Sequence, residues 1–428
     1  MEKIEKSLKQ LSQIWQEFNI EWYLNIYETK SKEISFTPVW DEISVSQDTD
    51  VSLILNIIKN NKKLTIKQNS LSYEDLCDKI KDNLWLLEVG SADSDIYMFP
   101  TKNSLDVDEI KFDIDDISWD FLLSQRNKVK NYKFSPNISV EAFSYSLNSE
   151  NRYFINSLGA SKSHKSTQNS YFLWLYYDTL NFSDTEYEVF YSSNYENVTS
   201  DFIAKTEQKL LAKVNPQKSQ LKSWFYNVTF KNNLAGDFLD ILLSWCSGEK
   251  IRQWISFLKK WDIWKKIVTD KLNIKSIHNI DSSPFNRFFD SEWIDTKDLF
   301  IIKNWVLDEI FLDSKNAKKY SKDPNWNPTY ANIALIWDKT KDFLKNTNFL
   351  FTNLMWLHTI DFSTGKFALE WEWFEVNNWK IWNFVKNVSI SWSILDLFLS
   401  LDSIWDDIYE HSAIKTGSIT FLNQNIII

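Results

Sequence analysis

The stretch DFSTGKFALEWEWFEVNNWKI, residues 361–381, indicates the local fold more clearly than any other part of the chain. Apolar and aromatic residues dominate 367–376, a second such run covers 380–388, and both are typical of β-strands. Between them stands Asn378-Trp379, where Asn-Gly is the usual hairpin signal because the tight turn needs two residues with positive φ. The stretch therefore predicts a β-hairpin whose turn carries Trp in place of the expected Gly.

Tryptophan is as abundant in this chain as glycine is scarce. The 428 residues include 22 Trp and only 6 Gly, whereas globular proteins contain about 7% Gly, or roughly 30 in a chain of this length. Asn304-Trp305 and Asn325-Trp326 repeat the hairpin-turn pattern, although a Cβ makes positive φ costly for Trp. We hypothesise that most of these Trp are UGA codons that the source organism reads as glycine. The alternative is a truly Trp-rich protein.

Charge and cysteine content restrict the classes of function. The net charge is −10 and the pI about 5.1, and without a basic patch we expect no nucleic-acid partner. Two cysteines far apart in sequence, Cys77 and Cys246, fit a reducing cytoplasm better than a disulfide framework. Residues 1–18 form an amphipathic, charged segment in which we see no signal peptide. No run of about 18 apolar residues predicts a membrane span.

The order of strand and helix signals predicts an α+β chain in three parts. These are an N-terminal α/β-type domain (1–110), a middle domain (117–218) and a large β-rich C-terminal domain (220–428), with a polar, acidic boundary at 91–116. We expect helices at 72–88, 199–214 and 234–246. We expect strands at 21–29, 33–39, 51–58, 63–68, 140–147, 153–157, 170–177, 227–230, 299–303, 306–311, 367–376 and 380–388.

An ordered series of short motifs resembles the TldD/PmbA family. Residues 361–381 are similar to its pattern D-x-x-x-G-x-F-x-x-x-x-x-G-x-x-I-x-N-G-x-I, with Trp373 and Trp379 where that family has Gly. Trp392 and Trp405 stand in the same way in stretches that resemble I-x-I-x-G-N-x-L and V-G-N-D. Further similarities cover Asn156-Ser157-Leu158-Gly159, Phe289-Asp290-Ser291-Glu292-Trp293 and Asn304-Trp305-Val306-Leu307.

The resemblance implies a two-subunit zinc metallopeptidase that acts on peptides or unfolded polypeptides. In that family one subunit carries H-E-x-x-x-H on a helix, where two imidazoles hold zinc and a carboxylate activates water. In this chain the two histidines fall at Asp240 and Trp245, and the glutamate falls at Ile241. The motif's chemistry cannot survive there, because Ile241 has no proton-accepting group and neither Trp nor Gly at 245 is a zinc ligand. The resemblance therefore implies a cytoplasmic, non-catalytic subunit without zinc, whose partner is a zinc-bearing TldD-like paralogue.

Other groups of residues admit both a chemical and a structural interpretation. Asp237, Asp240 and Cys246 could form a metal cluster, but cap, surface and core positions are the commoner roles of such residues. Cys246 has no neighbouring base in sequence, which favours a buried thiol over a nucleophile. We expect His164 in a solvated loop. The acidic run 106–116 lacks the spacing of a calcium loop, so we expect a solvated linker.

Two rival functions remain open at this stage. If the Trp are literal, the cluster Trp371, Trp373, Trp379 and Trp382 could form stacking platforms of a carbohydrate- or peptide-binding module without enzymatic activity. The second rival is an independent hydrolase with an unrecognised site, which would be active without a partner. UGG codons at these positions would favour the binding module, and UGA codons would remove it.

Overall fold

The structure is a computed structural model. It describes residues 20–426, except 38–41, 93–103, 215, 217–221, 270–271, 326–330, 338–339, 342–343, 355–359 and 362. The predicted amphipathic N-terminal segment and most of the junction between the predicted middle and C-terminal domains, 217–221, lie outside the described residues. Helices and strands are both well represented, so the predicted α+β class is confirmed.

A seven-stranded sheet dominates the first half of the chain. Its order is β3-β2-β1-β5-β6-β4, and β7 also pairs with β6, beyond the segment that β4 occupies. Strands from the predicted N-terminal domain and from the predicted middle domain therefore share this one sheet. The strands are β1 (Glu21–Thr37), β2 (Glu42–Lys59), β3 (Lys62–Gln68), β4 (Ser104–Glu109), β5 (Ile138–Asn156), β6 (Ser161–Thr179) and β7 (Phe182–Ser192).

The long strands β1 and β5 correct the prediction of shorter ones. The predicted strands leave out residues 30–32 and 148–152, which are polar. In the structure the two segments pair with each other, with Lys30 opposite Ser149 and Ser31 opposite Asn148. A β-ladder is made by backbone groups, so it continues through polar side chains where no Pro or Gly interrupts it.

The acidic run 106–116 is not the solvated linker that was expected. Its first part belongs to β4, which runs parallel to residues 161–166 of β6. Along β4 the exposed residues alternate with half-buried ones such as Leu105 and Val107, as a strand with one covered face requires. Phe112, Ile114 and Ile117 then turn into the core, where they join the cluster under the middle of the sheet.

Helices cover the large sheet and begin at the residues that the sequence indicated. Ser72 caps α1 (Tyr73–Asn83), with Asp75 N donating to Ser72 Oγ at 3.3 Å, and Thr199 caps α4 (Ser200–Ala212) through Phe202 N at 3.1 Å. The expected helix 72–88 is interrupted at Leu84-Trp85 and resumes as the short α2 (Leu86–Val89). The helix α3 (Trp119–Lys130), which lies between α2 and α4 in the chain, packs against β1 and β5.

Two smaller sheets build the C-terminal half around the largest apolar core. One has the order β11-β10-β9-β12-β17 and the other β15-β14-β13-β8-β18-β16. The strands are β8 (Trp224–Phe230), β9 (Asn273–Ile277), β10 (Leu299–Lys303), β11 (Val306–Leu307), β12 (Asn332–Ile336), β13 (Phe349–Leu354), β14 (Lys366–Asn377), β15 (Lys380–Ser393), β16 (Leu401–Ile404), β17 (Ile414–Lys415) and β18 (Ile419–Ile426). The helices are α5 (Asn232–Trp245), α6 (Gly248–Arg252), α7 (Ser314–Tyr320) and α8 (Ile394–Leu399).

The predicted hairpin is confirmed, and one predicted strand is shorter than expected. β14 and β15 pair antiparallel, with Asn377 opposite Lys380 across the turn. The strand expected at 306–311 ends after Leu307. Phe311 instead donates its N–H to Cys246 O and accepts from Gly248 N, both at 2.8 Å. These hydrogen bonds take this segment out of the sheet and hold it against the end of α5.

A buried ion network joins the large sheet to the six-stranded C-terminal sheet. Lys213, just after α4, forms ion pairs with Glu186 of β7 at 2.6 Å and with Glu372 of β14 at 3.2 Å. Lys386 of β15 pairs with Asp184 of β7 at 2.5 Å. Burial alone would lower the pKa of Lys213, but the two carboxylates outweigh it and raise the pKa. The network therefore fixes one sheet against the other through charges that are paired.

The backbone places tryptophan where glycine is usually required. In the described chain, thirteen residues other than Gly have positive φ, of which six are Asn and two are Ser. The other five are Trp254 (φ 63°), Trp264 (74°), Trp293 (60°), Trp305 (62°) and Trp379 (61°). The predicted Asn-Trp turns at 304–305 and 378–379 both have positive φ at both residues, and Trp326 lies outside the described residues. Bulky residues seldom adopt this conformation.

Candidate functional site

The helix α5, which carries the sequence-predicted site, is apolar on all but one face. Most of its Leu, Phe, Ile and Ala side chains are buried, and the helix packs against β13 of one C-terminal sheet and β17 of the other. Asn233, Asp237 and Asp240 are exposed, and their separations of four and three residues put them on one face. At its start, Asn232 Nδ2 donates to Asp407 O at 2.7 Å. This single polar face is all that α5 offers to a ligand.

The three positions that replace the zinc motif do not converge. Asp240 is exposed, Ile241 is 6% exposed and Trp245 is fully buried. Residues five apart on a helix are separated by roughly 140° around its axis, which explains the opposite environments of 240 and 245. The Trp245 ring packs edge-on against Phe257 at 4.3 Å. No water-activating or metal-binding arrangement exists among these three side chains.

Asp237 and Asp240 form an acidic pair on the exposed face. Both reach solvent, but much of their surroundings is protein. That burial, together with the negative charge of Asp240, raises the pKa of Asp237 to about 6. Burial also raises the pKa of Asp240, which the nearby Lys250 partly offsets. Such a pair can hold a proton near neutral pH, but it has no third ligand for a metal.

Cys246 lies in the core at the end of α5. Its side chain is fully buried and Sγ donates to Leu242 O at 3.5 Å. Burial raises the pKa of this thiol to about 12, so the thiolate that a nucleophile or a zinc ligand needs is absent at neutral pH. Within the part of the chain that the structure describes, no three His, Cys, Asp or Glu residues are placed to hold a metal ion.

The expectation for His164 was wrong. His164 lies on β6, is buried, and its Nε2 is 3.0 Å from Glu109 Oε2. Burial opposes ionisation of Glu109, but hydrogen bonds from His164 and Asn286 outweigh it and lower the pKa of this carboxyl. Residues 161–168 are polar at nearly every position, so no alternation of apolar side chains could signal the strand.

The loop at the beginning of the stretch 361–381 packs on the end of α5. The carboxylate of Asp361 accepts hydrogen bonds from Ser363 N at 2.8 Å and from Ser363 Oγ and Thr364 Oγ1 at 2.7 Å, which lower its pKa to about 2. Gly365 follows with φ +71°, and a Cβ on it would stand 3.4 Å from the Trp245 ring. The D-x-x-x-G pattern thus builds a tight loop that packs on α5.

Comparisons with known proteins agree with this architecture. Residues 223–427 match the family model of the PmbA/TldA metallopeptidase C-terminal domain. A metalloprotease PmbA homologue from Buchnera aphidicola (pea-aphid strain) is 24% identical over 323 residues, 70% of each chain. Another, from Haemophilus influenzae, is 25% identical over 254 residues, which span 55% of this chain and 53% of the relative.

Solved structures extend the similarity to nearly the whole fold. A chain from Bacteroides thetaiotaomicron, described as a candidate modulator of DNA gyrase, has a TM-score of 0.85 at 20% identity and 98% coverage of both chains. TldE from Thermococcus kodakarensis has a TM-score of 0.85 at 16% identity, with 99% of this chain and 100% of TldE covered. At these identities the structures establish the fold alone.

Together these findings define a metallopeptidase-like protein with a TldD/TldE-type fold. The chain belongs to the TldD/PmbA family. Among its described residues no helix is both long and apolar enough to cross a bilayer.

Proposed function

We propose that this chain is the non-catalytic subunit of a two-subunit zinc metallopeptidase of the TldD/PmbA type. The observation that carries the proposal is the state of α5, where Asp240 faces solvent and Ile241 and Trp245 face the core. A zinc site needs three converging protein ligands and an open position, and α5 supplies none. Zinc and the general base then come from a TldD-like paralogue, and this chain shapes the space that a peptide enters.

Native mass spectrometry of the complex purified from its source cells tests this assignment. We expect a heterodimer that holds one zinc, and we expect the zinc to remain with the other subunit after dissociation. A lone chain that binds stoichiometric zinc and cleaves peptides would refute the proposal and favour an independent hydrolase. We further propose a cytoplasmic location, since Cys77 and Cys246 are both free thiols.

We also propose that most Trp positions are glycine in the protein as the cell makes it. Four of the five Trp with positive φ are well exposed, namely Trp254, Trp264, Trp305 and Trp379, so little burial of the ring offsets the strain of the backbone. A non-Gly residue in this region costs on the order of 1–3 kcal/mol. Glycine occupies it without a Cβ clash. The backbone conformation and the family pattern thus support the same substitution independently.

Two buried tryptophans bear on the same proposal in opposite directions. Trp373 stands where the family pattern has Gly, is fully buried, and its Nε1 has no hydrogen-bond partner among the described residues. An unsatisfied buried donor costs about 1–3 kcal/mol. Trp293, in contrast, donates from Nε1 to Asn25 Oδ1 at 2.6 Å and stacks on Phe289. A glycine at 293 relieves the backbone but removes these contacts.

Peptide mass spectrometry of the protein from its source decides whether tryptophan or glycine occupies these positions. We expect glycine in the peptides that contain positions 264, 305 and 379, and UGA in the corresponding codons. Tryptophan at these positions would refute the recoding and favour the Trp-rich binding module. The structure already limits that rival, because Trp373 is buried while Trp379 and Trp382 are exposed, and the side chain of Trp371 lies outside the described residues.

A further inference from the structure

Two adjoining cavities lie between the polar middle of the large sheet and the loop 278–288. One has a volume of about 330 Å³ and the other of about 450 Å³. Ser166, Thr167, Pro284 and Arg287 line both of them. Polar residues of β1 and β5, including Lys30, Asn148 and Arg152, line the larger cavity. They belong to the segments 30–32 and 148–152, which the predicted strands left out. These polar strand residues therefore surround a space, and the α5 site does not use them.

The larger cavity collects an unusual share of the chain's guanidinium groups. Only four arginines occur among the 48 basic residues, and two of them, Arg152 and Arg287, line this cavity. Arginine differs from lysine in its planar fork of donors, which matches an oxyanion at two points. Lysine supplies most of the positive charge of this chain. Two arginines at one cavity therefore indicate a site that uses the planar donor geometry of arginine.

The donors of these two arginines are only partly used. Arg152 Nη2 pairs with Glu150 at 2.7 Å, but its Nε is buried and has no hydrogen-bond partner. The side chain of Arg287 makes no hydrogen bond or ion pair with any residue that the structure describes. Lys30, also at this cavity, is paired with Asp115 at 2.6 Å. The Arg287 guanidinium therefore reaches this cavity with its donors unused, and Arg152 lines the same cavity with Nη2 paired to Glu150.

The electrostatics are unfavourable until an anion is present. Burial lowers the pKa of Arg287, the positive charge of Arg152 lowers it further, and Glu150 offsets only part of this. Two partly buried like charges repel each other and lack full hydration, and a bound anion removes both costs. The smaller cavity suits that anion less well, because three carboxylates line it, Asp108, Glu109 and Asp281, whereas Glu150 is the one carboxylate among the described residues that line the larger cavity.

We propose that the larger cavity binds a small oxyanion, a carboxylate or a phosphate group, between the guanidinium groups of Arg287 and Arg152. Arg287 offers its whole fork, and Arg152 adds a second positive charge while its Nη2 stays with Glu150. Thr29, Gln168 and Tyr191 add polar groups to the wall. No tryptophan lines the cavity in the described chain. The proposal is therefore independent of the recoding, and equally of the two-subunit assignment.

Isothermal titration calorimetry of the full chain at low salt tests the proposal with three probes. These are inorganic phosphate, the dipeptide Ala-Ala, and Ala-Ala amide, which has no carboxylate. We expect saturable binding of phosphate, of Ala-Ala, or of both, and none of the amide. Phosphate alone identifies a phosphate site, whereas Ala-Ala identifies a carboxylate site. Absence of binding by phosphate and Ala-Ala alike would overturn the proposal.

Matched variants show whether binding occurs at this cavity. Arg287→Gln should weaken binding roughly tenfold or more, as expected for a charged hydrogen-bond donor, and Arg287→Lys should weaken it less because the charge remains. Arg252→Gln, which removes the same group far from the cavity where it bonds Asn316, should leave affinity unchanged. Thermal melts verify that each variant is folded. Unchanged affinity in folded Arg287→Gln would place the anion elsewhere and overturn the proposal.

Discussion

Trp379 and Trp382 lie in one hairpin and are both well exposed, 64% and 76%, but differ in backbone conformation. Trp379 has φ 61°, whereas Trp382 belongs to β15 and is not among the residues with positive φ. We expect Trp379→Gly to raise the free energy of unfolding by about 1 kcal/mol, because a strained Cβ is removed. Trp382→Gly should lower it by a similar amount, since glycine weakens a strand.

Urea unfolding of the two variants measures this difference. Each substitution removes one exposed indole, so the side-chain contribution is matched and the backbone contribution is isolated. Equal losses of stability in both variants would mean that residue 379 is not strained, and would weaken the case for glycine at that position.

Asp237 gives stability a pH dependence of a definite sign. Its pKa is about 6 in the folded chain against an ordinary 3.8, so the folded state binds a proton more tightly than the unfolded chain. Its contribution to stability therefore falls as pH rises from 3.8 to about 6. We expect Asp237→Asn to be more stable than the parent at pH 7, by roughly 1 kcal/mol or less because the side chain is exposed and screened.

The same comparison at pH 3.5 is the internal control for Asp237. There the carboxyl is protonated in the folded chain and mostly protonated in the unfolded chain, so the variant and the parent should unfold at similar urea concentrations. A constant difference between them at all pH values would show that the effect comes from packing and not from the charge.

At the scale of elements, the ion network between β7, α4 and β14 should contribute strongly to stability. Lys213 is almost fully buried between Glu186 and Glu372, and removal of one partner leaves buried charges uncompensated. We expect Lys213→Ala to lower the free energy of unfolding by about 3–5 kcal/mol. Lys205→Ala in α4 removes an exposed ion pair with Asp201, and this change should lower the free energy of unfolding by less than about 1 kcal/mol. Similar losses in both would contradict the role of the network.

The helix α5 should resist restoration of a zinc motif. In the triple variant Asp240→His, Ile241→Glu, Trp245→His, only residue 240 faces solvent, and the new glutamate enters the core. We expect no zinc binding and a loss of at least about 2 kcal/mol of stability, because an unpaired polar group is buried. Asp240→His alone should change stability by less than about 0.5 kcal/mol. Equilibrium dialysis with zinc and urea unfolding measure both effects, and stoichiometric zinc in the triple variant would contradict this account.

The elements that could be predicted are those in which local chemistry was strong. Ser72 and Thr199 announced helix starts, and the apolar runs 299–303, 367–376 and 380–388 announced strands, because caps and side-chain periodicity act within a few residues. β4 and the first part of β6 escaped prediction, since their polar residues pair through the backbone and are covered only by other segments. His164 was misplaced for the same reason.

At the scale of the whole molecule, activity should require two different chains. Under the proposed assignment, this chain mixed with a zinc-bearing paralogue should hydrolyse an unfolded polypeptide, whereas this chain alone should not. The physical reason is that α5 carries no ligand set, so in the proposed complex the other subunit supplies the catalytic metal. A fluorescent casein assay with each chain alone and with the mixture measures this. Full activity of the paralogue alone would make the second chain dispensable and contradict the proposal.

The sequence by itself determined the α+β class, the hairpin at 366–393, the helix starts at Ser72 and Thr199, the family resemblance and the absence of the zinc motif. Each of these depends on residue types at short, fixed separations. Only the tertiary structure decided that strands from both N-terminal parts share one sheet, that Asp240 and Trp245 face opposite ways, and that Arg152 and Arg287 meet at one cavity. These depend on contacts between residues more than a hundred positions apart, or on which face of an element is covered, and no local pattern records either.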